Sequence, residues 1–170
     1  MRLYSGKVAN AAGDIVRELT KANDIEVSNE QEAQLDVEAI LKEYLRMDRE
    51  LTDRAKDILD ERKLPYGQFF KIKRTLAEEH EFAVGDEAVG WMVNQIIESF
   101  MHSPHIDEVF AEDTALRRKV RDILIKHMSM DEQLDEEVRR RIKNLEEGTS
   151  TWEIEYNKIM DQMKRKHGLE

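Results

Sequence analysis

The sequence predicts an all-α protein, two similar four-helix units in tandem packed into one helical body, with unit one spanning residues 1–80 and unit two residues 81–170. Three observations carry that expectation. Apolar residues recur at helical spacing, and no segment alternates with period two for long enough to propose a sheet. Charged residues make up 38% of the 170 residues and aromatics 6%, with two prolines and seven glycines, a composition that suits helices. Finally, the chain repeats itself. Offset by 83 residues, Val37, Ile40, Leu41, Met47, Asp48 and Leu51 fall on the identical Val120, Ile123, Leu124, Met130, Asp131 and Leu134. Offset by 81, Leu3, Val8, Ile15, Leu19 and Ile25 fall on Val84, Val89, Ile96, Phe100 and Ile106.

Each element follows from local chemistry. Ser5 reads as the N-cap of a first helix over residues 6–22, with Val8, Ala12, Ile15, Val16 and Leu19 on one face, and Asp86 holds the same place in unit two. Ser28 with Gln31 reads as a capping box opening a second helix that carries Leu35, Ala39, Ile40, Tyr44 and Met47. Its counterpart begins near Asp113 and carries Leu116, Val120, Ile123, Leu124 and Met128. Leu45 to Leu51 is a spacing of six where four or seven would keep the stripe straight, so a kink or break is expected around Asp48 and again around Asp131. Third helices follow near residues 50–63 and 132–146. Leu64-Pro65-Tyr66-Gly67 and Glu147-Gly148-Thr149-Ser150 are turns, and the last helix of each unit is led by Phe69 or Trp152.

Composition also excludes functions. The chain has no cysteine, which removes disulfides, thiolate metal sites and cysteine nucleophiles and suits a reducing, cytoplasmic setting. No apolar run is long enough to cross a bilayer, so no membrane partner is expected. The net charge is −10, shared as −4 over residues 1–83 and −6 over 84–170, which argues against nucleic acid.

Few polar constellations survive scrutiny. His102 and His105, three apart, have the spacing of a metal pair, but Pro104 breaks the helix that would aim both rings together. Glu78, Glu79, His80 and Glu81 place carboxylates beside an imidazole, yet consecutive helical residues point in different directions. Arg139, Arg140, Arg141 and Lys143, with Lys164, Arg165 and Lys166, are where a phosphate backbone would bind, though Glu136, Glu137 and Glu146 offer nearby partners. Met101 and Met130 stand apart from the apolar stripe and are expected to be exposed.

The N-terminal MRLYSGKVANAAGDIVREL, the stretch Leu134 to Arg139 and the segment Trp152 to Tyr156 followed by Lys166-His167-Gly168-Leu169 resemble the domain-of-unknown-function family 507. That resemblance implies a small helical bacterial protein, here a tandem duplicate of the unit, and brings no catalytic residue with it.

The expectation for function is therefore a non-catalytic protein-interaction or scaffolding module. It uses no cofactor and no metal, and its partner is an unidentified protein or a second copy of itself. The side chains expected to make contact, unless they are used to close the core as large aromatics more often are, are Phe69, Trp152, Tyr156 and Met130, because large aromatics and flexible thioethers anchor interfaces. Two alternatives are a carboxylate and histidine metal-dependent enzyme, centred on Glu78 to His80 or His102 to His105, and nucleic-acid binding through the Arg139 to Lys143 face.

Overall fold

A computed structural model describes residues 1–169. Among them the order of elements is α1 (Val8–Lys21), β1 (Ile25–Val27), α2 (Glu30–Arg62), α3 (Phe69–Glu79), α4 (Ala88–His102), β2 (Ile106–Val109), α5 (Asp113–Met128), α6 (Met130–Arg141) and α7 (Ser150–Lys166). The protein is all-α apart from one small antiparallel ribbon.

α1 buries Val8, Ala11, Ala12, Ile15, Val16 and Leu19, the face that periodicity predicts. Ser5 does not stand directly before this helix. It opens a 3-10 turn over Ser5–Lys7, and the equivalent Asp86 lies inside the 3-10 turn Gly85–Glu87, so both units enter their first helix through a tight turn. α2 starts one residue later than the expected capping box. The side chain of Asn29 accepts a hydrogen bond from the Glu32 amide at 3.1 Å, while Ser28 is drawn instead to the carbonyl of His105 through both its amide and its hydroxyl.

The sharpest difference from expectation is in α2, which runs unbroken for 33 residues through Asp48. Its buried residues include Ala33, Val37, Leu41, Tyr44 and Leu51, whereas Leu35 and Ala39 face away from the core. Across the phase slip the Arg46 guanidinium bonds Glu43 and Glu50 at 2.7 Å each, exposed pairs that add only slightly to the helix there. Those two carboxylates raise the Arg46 pKa, and Arg46 in turn lowers that of Glu43. Ser129 occupies the equivalent place in the second half. Its hydroxyl bonds the Lys126 carbonyl at 3.0 Å, its ψ is 2°, and here the helix does divide, into α5 and α6, two residues before the expected Asp131.

The ribbon is the element that periodicity could not foresee. Ile25 pairs with Val109, Glu26 with Glu108 and Val27 with Ile106, so the strands contribute three and four residues, too few to show an alternating pattern. It sits at the N-terminal end of α2.

Buried apolar side chains form two clusters. The larger gathers α1, α2, α4 and α5 with Ile25, Ile106, Phe82 and Ala77. The smaller joins α6 and α7 through Leu134, Val138, Ile142, Met160 and Met163, and is closed by Tyr4 and Leu169 from the two ends of the described chain. Beyond the larger cluster, α2 continues as a projecting arm against α3. It stops where Lys63 turns left-handed, with φ 52°, letting the Leu64 amide reach the Leu59 carbonyl, and Pro65 follows.

Candidate interaction surfaces

The chemistry of the chain is dispersed over its surface. His102 is exposed at the end of α4, while His105 is half-buried before β2, where its carbonyl is engaged by Ser28. Glu78, Glu79, His80 and Glu81 are all exposed at the end of α3. Among the described residues no three His, Cys, Asp or Glu come together as ligands for a metal ion. Two clefts exist. One of about 1050 Å³ lies between α2 and α3, floored by Leu51, Ile58 and Leu76 and rimmed by Arg49, Asp53, Asp57 and Lys71. Its rim alternates in sign, so it presents no charge preference to a small ligand.

The second cleft, of about 920 Å³, lies where the N-terminal segment meets α2, α3 and α7. In it Lys73 and Asp48 form an ion pair at 2.6 Å. Burial, and then the charge of Asp48, push Tyr44 well above the ordinary tyrosine range and keep it a neutral phenol. Tyr44 also packs on Phe82 and Trp91, with ring centroids 5.1 and 6.0 Å away. These groups are tied into the packing between α2 and α4, which fixes the arm to the body.

The basic run on α6 is partly occupied by its own neighbours. Arg139 bonds Asp135 at 3.0 Å and Glu147 at 2.7 Å and lies over the rings of Trp152 and Tyr156. Arg141 pairs with Glu137, and the Lys164 ammonium lies over the Tyr4 ring. Arg140 reaches only the Glu136 carbonyl and Lys143 is exposed without a carboxylate partner among the described residues, so part of the run's charge is committed and part is not.

Trp152 and Tyr156 are stacked 5.0 Å apart and half-buried, and the Tyr156 hydroxyl donates to Asp135. That bond, then Arg139, hold Asp135 below the usual carboxylate range, while burial, then Asp135, push Tyr156 up to about 12. The signs follow. A depressed carboxyl stabilises the fold above its unfolded pKa and loses that contribution as pH falls through its folded value. A raised phenol contributes fully below the ordinary tyrosine pKa and loses its contribution as pH rises towards about 12. In a Trp91→Phe background, Trp152 fluorescence is expected to report loosening of α6 from α7 below about pH 4 and above about pH 10. Tyr156→Phe should abolish the alkaline limb and weaken the acid one, and an unchanged profile would contradict this reading. Met130 is half-buried against the same cluster, not exposed as expected, whereas Met101 is 54% exposed.

The tip of the α2–α3 arm combines exposed aromatics with cations that have no carboxylate partner among the described residues. Phe69 is half-buried and stacks on Tyr66 at 5.5 Å with an interplanar angle of 5°. Tyr66 is 73% exposed, Phe70 45% and Leu64 38%. Arg62, Lys63, Lys71 and Arg74 surround them, all exposed and without a carboxylate partner among the described residues. Tyr66 escapes the sequence reading because it falls in the turn Leu64 to Gly67, where it reads as part of a connection. The signal that could have found it is the run Leu64 to Arg74, where aromatics and cations crowd around a proline turn and no carboxylate intervenes.

The chain is a member of the family described as protein of unknown function (DUF507), whose model matches residues 1–169. No curated protein matches it. No helix among the described residues is long and apolar enough to cross a membrane.

Proposed function

We propose that the chain is a non-catalytic protein-interaction or scaffolding module, built from two related units in tandem. The observation that carries the reading is the tip of the α2–α3 arm, where stacked Tyr66 and Phe69 stand among Arg62, Lys63 and Lys71, with Arg74 over the Phe70 ring, none of the four with a carboxylate partner among the described residues. Burial of an exposed aromatic contributes on the order of 25 cal/mol per Å² once a partner covers it, so such residues are natural anchors. The dispersal of histidines and carboxylates supports the same reading, since an active site needs its acid, base and binding groups within reach of one another.

Support for the tandem part comes from equivalent contacts. In the 83 and 81 offsets Gln34 corresponds to Arg117 and Gly13 to Asn94. Gln34 lies against Gly13, and Arg117 bonds Asn94 at 3.1 Å. β1 and β2 are likewise equivalent segments, and they pair with each other. The units diverge at Arg46 and Ser129, where α2 continues and the second-unit helix divides into α5 and α6.

Capture on the immobilised chain from the native cell tests the reading. A partner is expected to be retained by the wild type and lost, by at least tenfold, in Tyr66→Ser, with the melting temperature unchanged. Stoichiometric metal in the purified protein, together with a hydrolytic activity lost in His105→Ala, would overturn it.

A further inference from the structure

The ribbon end of α2 carries the opposite character to the arm tip. Between Ser103 and Leu116 there are four carboxylates, Asp107, Glu108, Glu112 and Asp113, and no lysine or arginine. Glu108 stands directly opposite Glu26 across the two strands, a like-charge pair that costs stability within the monomer. Asp107, Glu108 and Glu26 are exposed and have no basic partner among the described residues. Amid them Phe110 is 61% exposed, held outward by its amide bond to the Asp24 carbonyl at 2.8 Å.

The two ends therefore match. The arm tip brings Arg62, Lys63, Lys71 and Arg74, none with a carboxylate partner among the described residues, around exposed Tyr66 and Phe70, while at the ribbon end Asp24 and Asp113 are paired with Lys119 and Arg117 but Glu26, Asp107 and Glu108 near exposed Phe110 are not. They cannot meet within one chain, because α2 holds them about 50 Å apart at 1.5 Å per residue over its 33 residues. Resting on the interaction reading above, we infer that the arm tip of one copy docks on the ribbon end of a second copy, making a head-to-tail, self-propagating contact. Each copy then keeps one free tip and one free ribbon end. Such a contact is heterologous and extends into open chains unless its rotation closes a ring. Charge attraction steers the approach and the aromatics are covered on docking, so association weakens as salt shortens the screening length from about 10 Å at 0.1 M.

Sedimentation of the full chain across a concentration series tests this. The weight-average mass of the wild type is expected to rise with concentration at low salt and to fall back towards the monomer at 1 M salt. Tyr66→Ser and Phe110→Ser, both at exposed positions, should each remain monomeric with unaltered melting temperatures. Mixed in equal amounts they should form a dimer and stop, since one variant keeps a working tip and the other a working ribbon end. Glu108→Lys should raise thermal stability while weakening association. A wild type that stays monomeric up to millimolar concentration at low salt overturns the inference, as does a mixture that grows beyond the dimer or a pure variant that still associates. A monomeric wild type that still retains another protein through Tyr66 overturns self-docking alone. A monomeric wild type that instead binds a single-stranded oligonucleotide through Tyr66 overturns the interaction reading as well.

Discussion

Leu41→Ala is expected to lower stability by about 2–5 kcal/mol, the range for truncating a leucine in a packed core. Leu41 is 0% exposed and lies in the larger cluster, on a helix packed against both α1 and α4, so the cavity left behind is enclosed and cannot collapse from one side. For a chain of this length the melting temperature falls by about 2–4 °C per kcal/mol. The control is on the same helix. Leu35, six residues earlier and 46% exposed, should tolerate alanine within about 0.5 kcal/mol. Urea titration of both variants checks the pair, and comparable losses would place Leu35 in the core and turn α2 over.

Gly6→Ala should release the C-terminal segment from the smaller cluster. A methyl group at Gly6 would run into the carbonyl of Gly168 and stand 3.3 Å from the α-carbon of Leu169, and both obstacles are backbone, which cannot swing aside as a side chain can. The 3-10 turn and the C-terminal segment must then separate. Leu169 is 2% exposed and Tyr4 4%, and together they seal Leu134, Val138, Ile142, Met160 and Met163 from water. Withdrawing Leu169 alone costs about 1.5–3 kcal/mol of lost burial. Hydrogen exchange is the suitable readout, because α6 and α7 should lose protection while α1 and α4 keep theirs. Uniform protection in the variant would show that the close approach is not needed.

How far the fold was readable from the sequence depended on how local its cause was. The buried faces of α1, α4 and α5 follow from spacing alone, since each packs on one side. α2 does not, because it changes partners along its length, packing on α1 and α4 before Asp48 and on α3 beyond it, so a phase slip in the apolar stripe marks a change of neighbour and not a break. The ribbon was hidden because strands of three and four residues show too few alternations, and their pairing joins segments about 80 residues apart. Ser28 was misread as a cap for a similar reason, as its hydroxyl is taken by the distant His105 carbonyl and Asn29 is left to cap the helix.

The candidate surfaces were legible only in part. Phe69, Trp152 and Tyr156 do lead or line the last helices, but Trp152 and Tyr156 are spent on Arg139 and Asp135, a pairing that spacing along two separate helices does not reveal. Tyr66 and Phe110 escaped notice because exposure depends on what the rest of the chain covers. Charge told more than pattern. Grouping cations at one end of a rod and carboxylates at the other is visible in the sequence only after the rod is known to be continuous.

That continuity is the central claim, because a broken α2 would let the two ends approach each other. The chain has no native cysteine, so spin labels on Gln31→Cys and Arg62→Cys report one distance without background. Electron–electron resonance is expected to give a single narrow distribution near 45–50 Å, as about 1.5 Å per residue requires. A distribution centred well below that value, or split into two populations, would mean that α2 bends at Asp48 and that the opposition of charged ends does not hold.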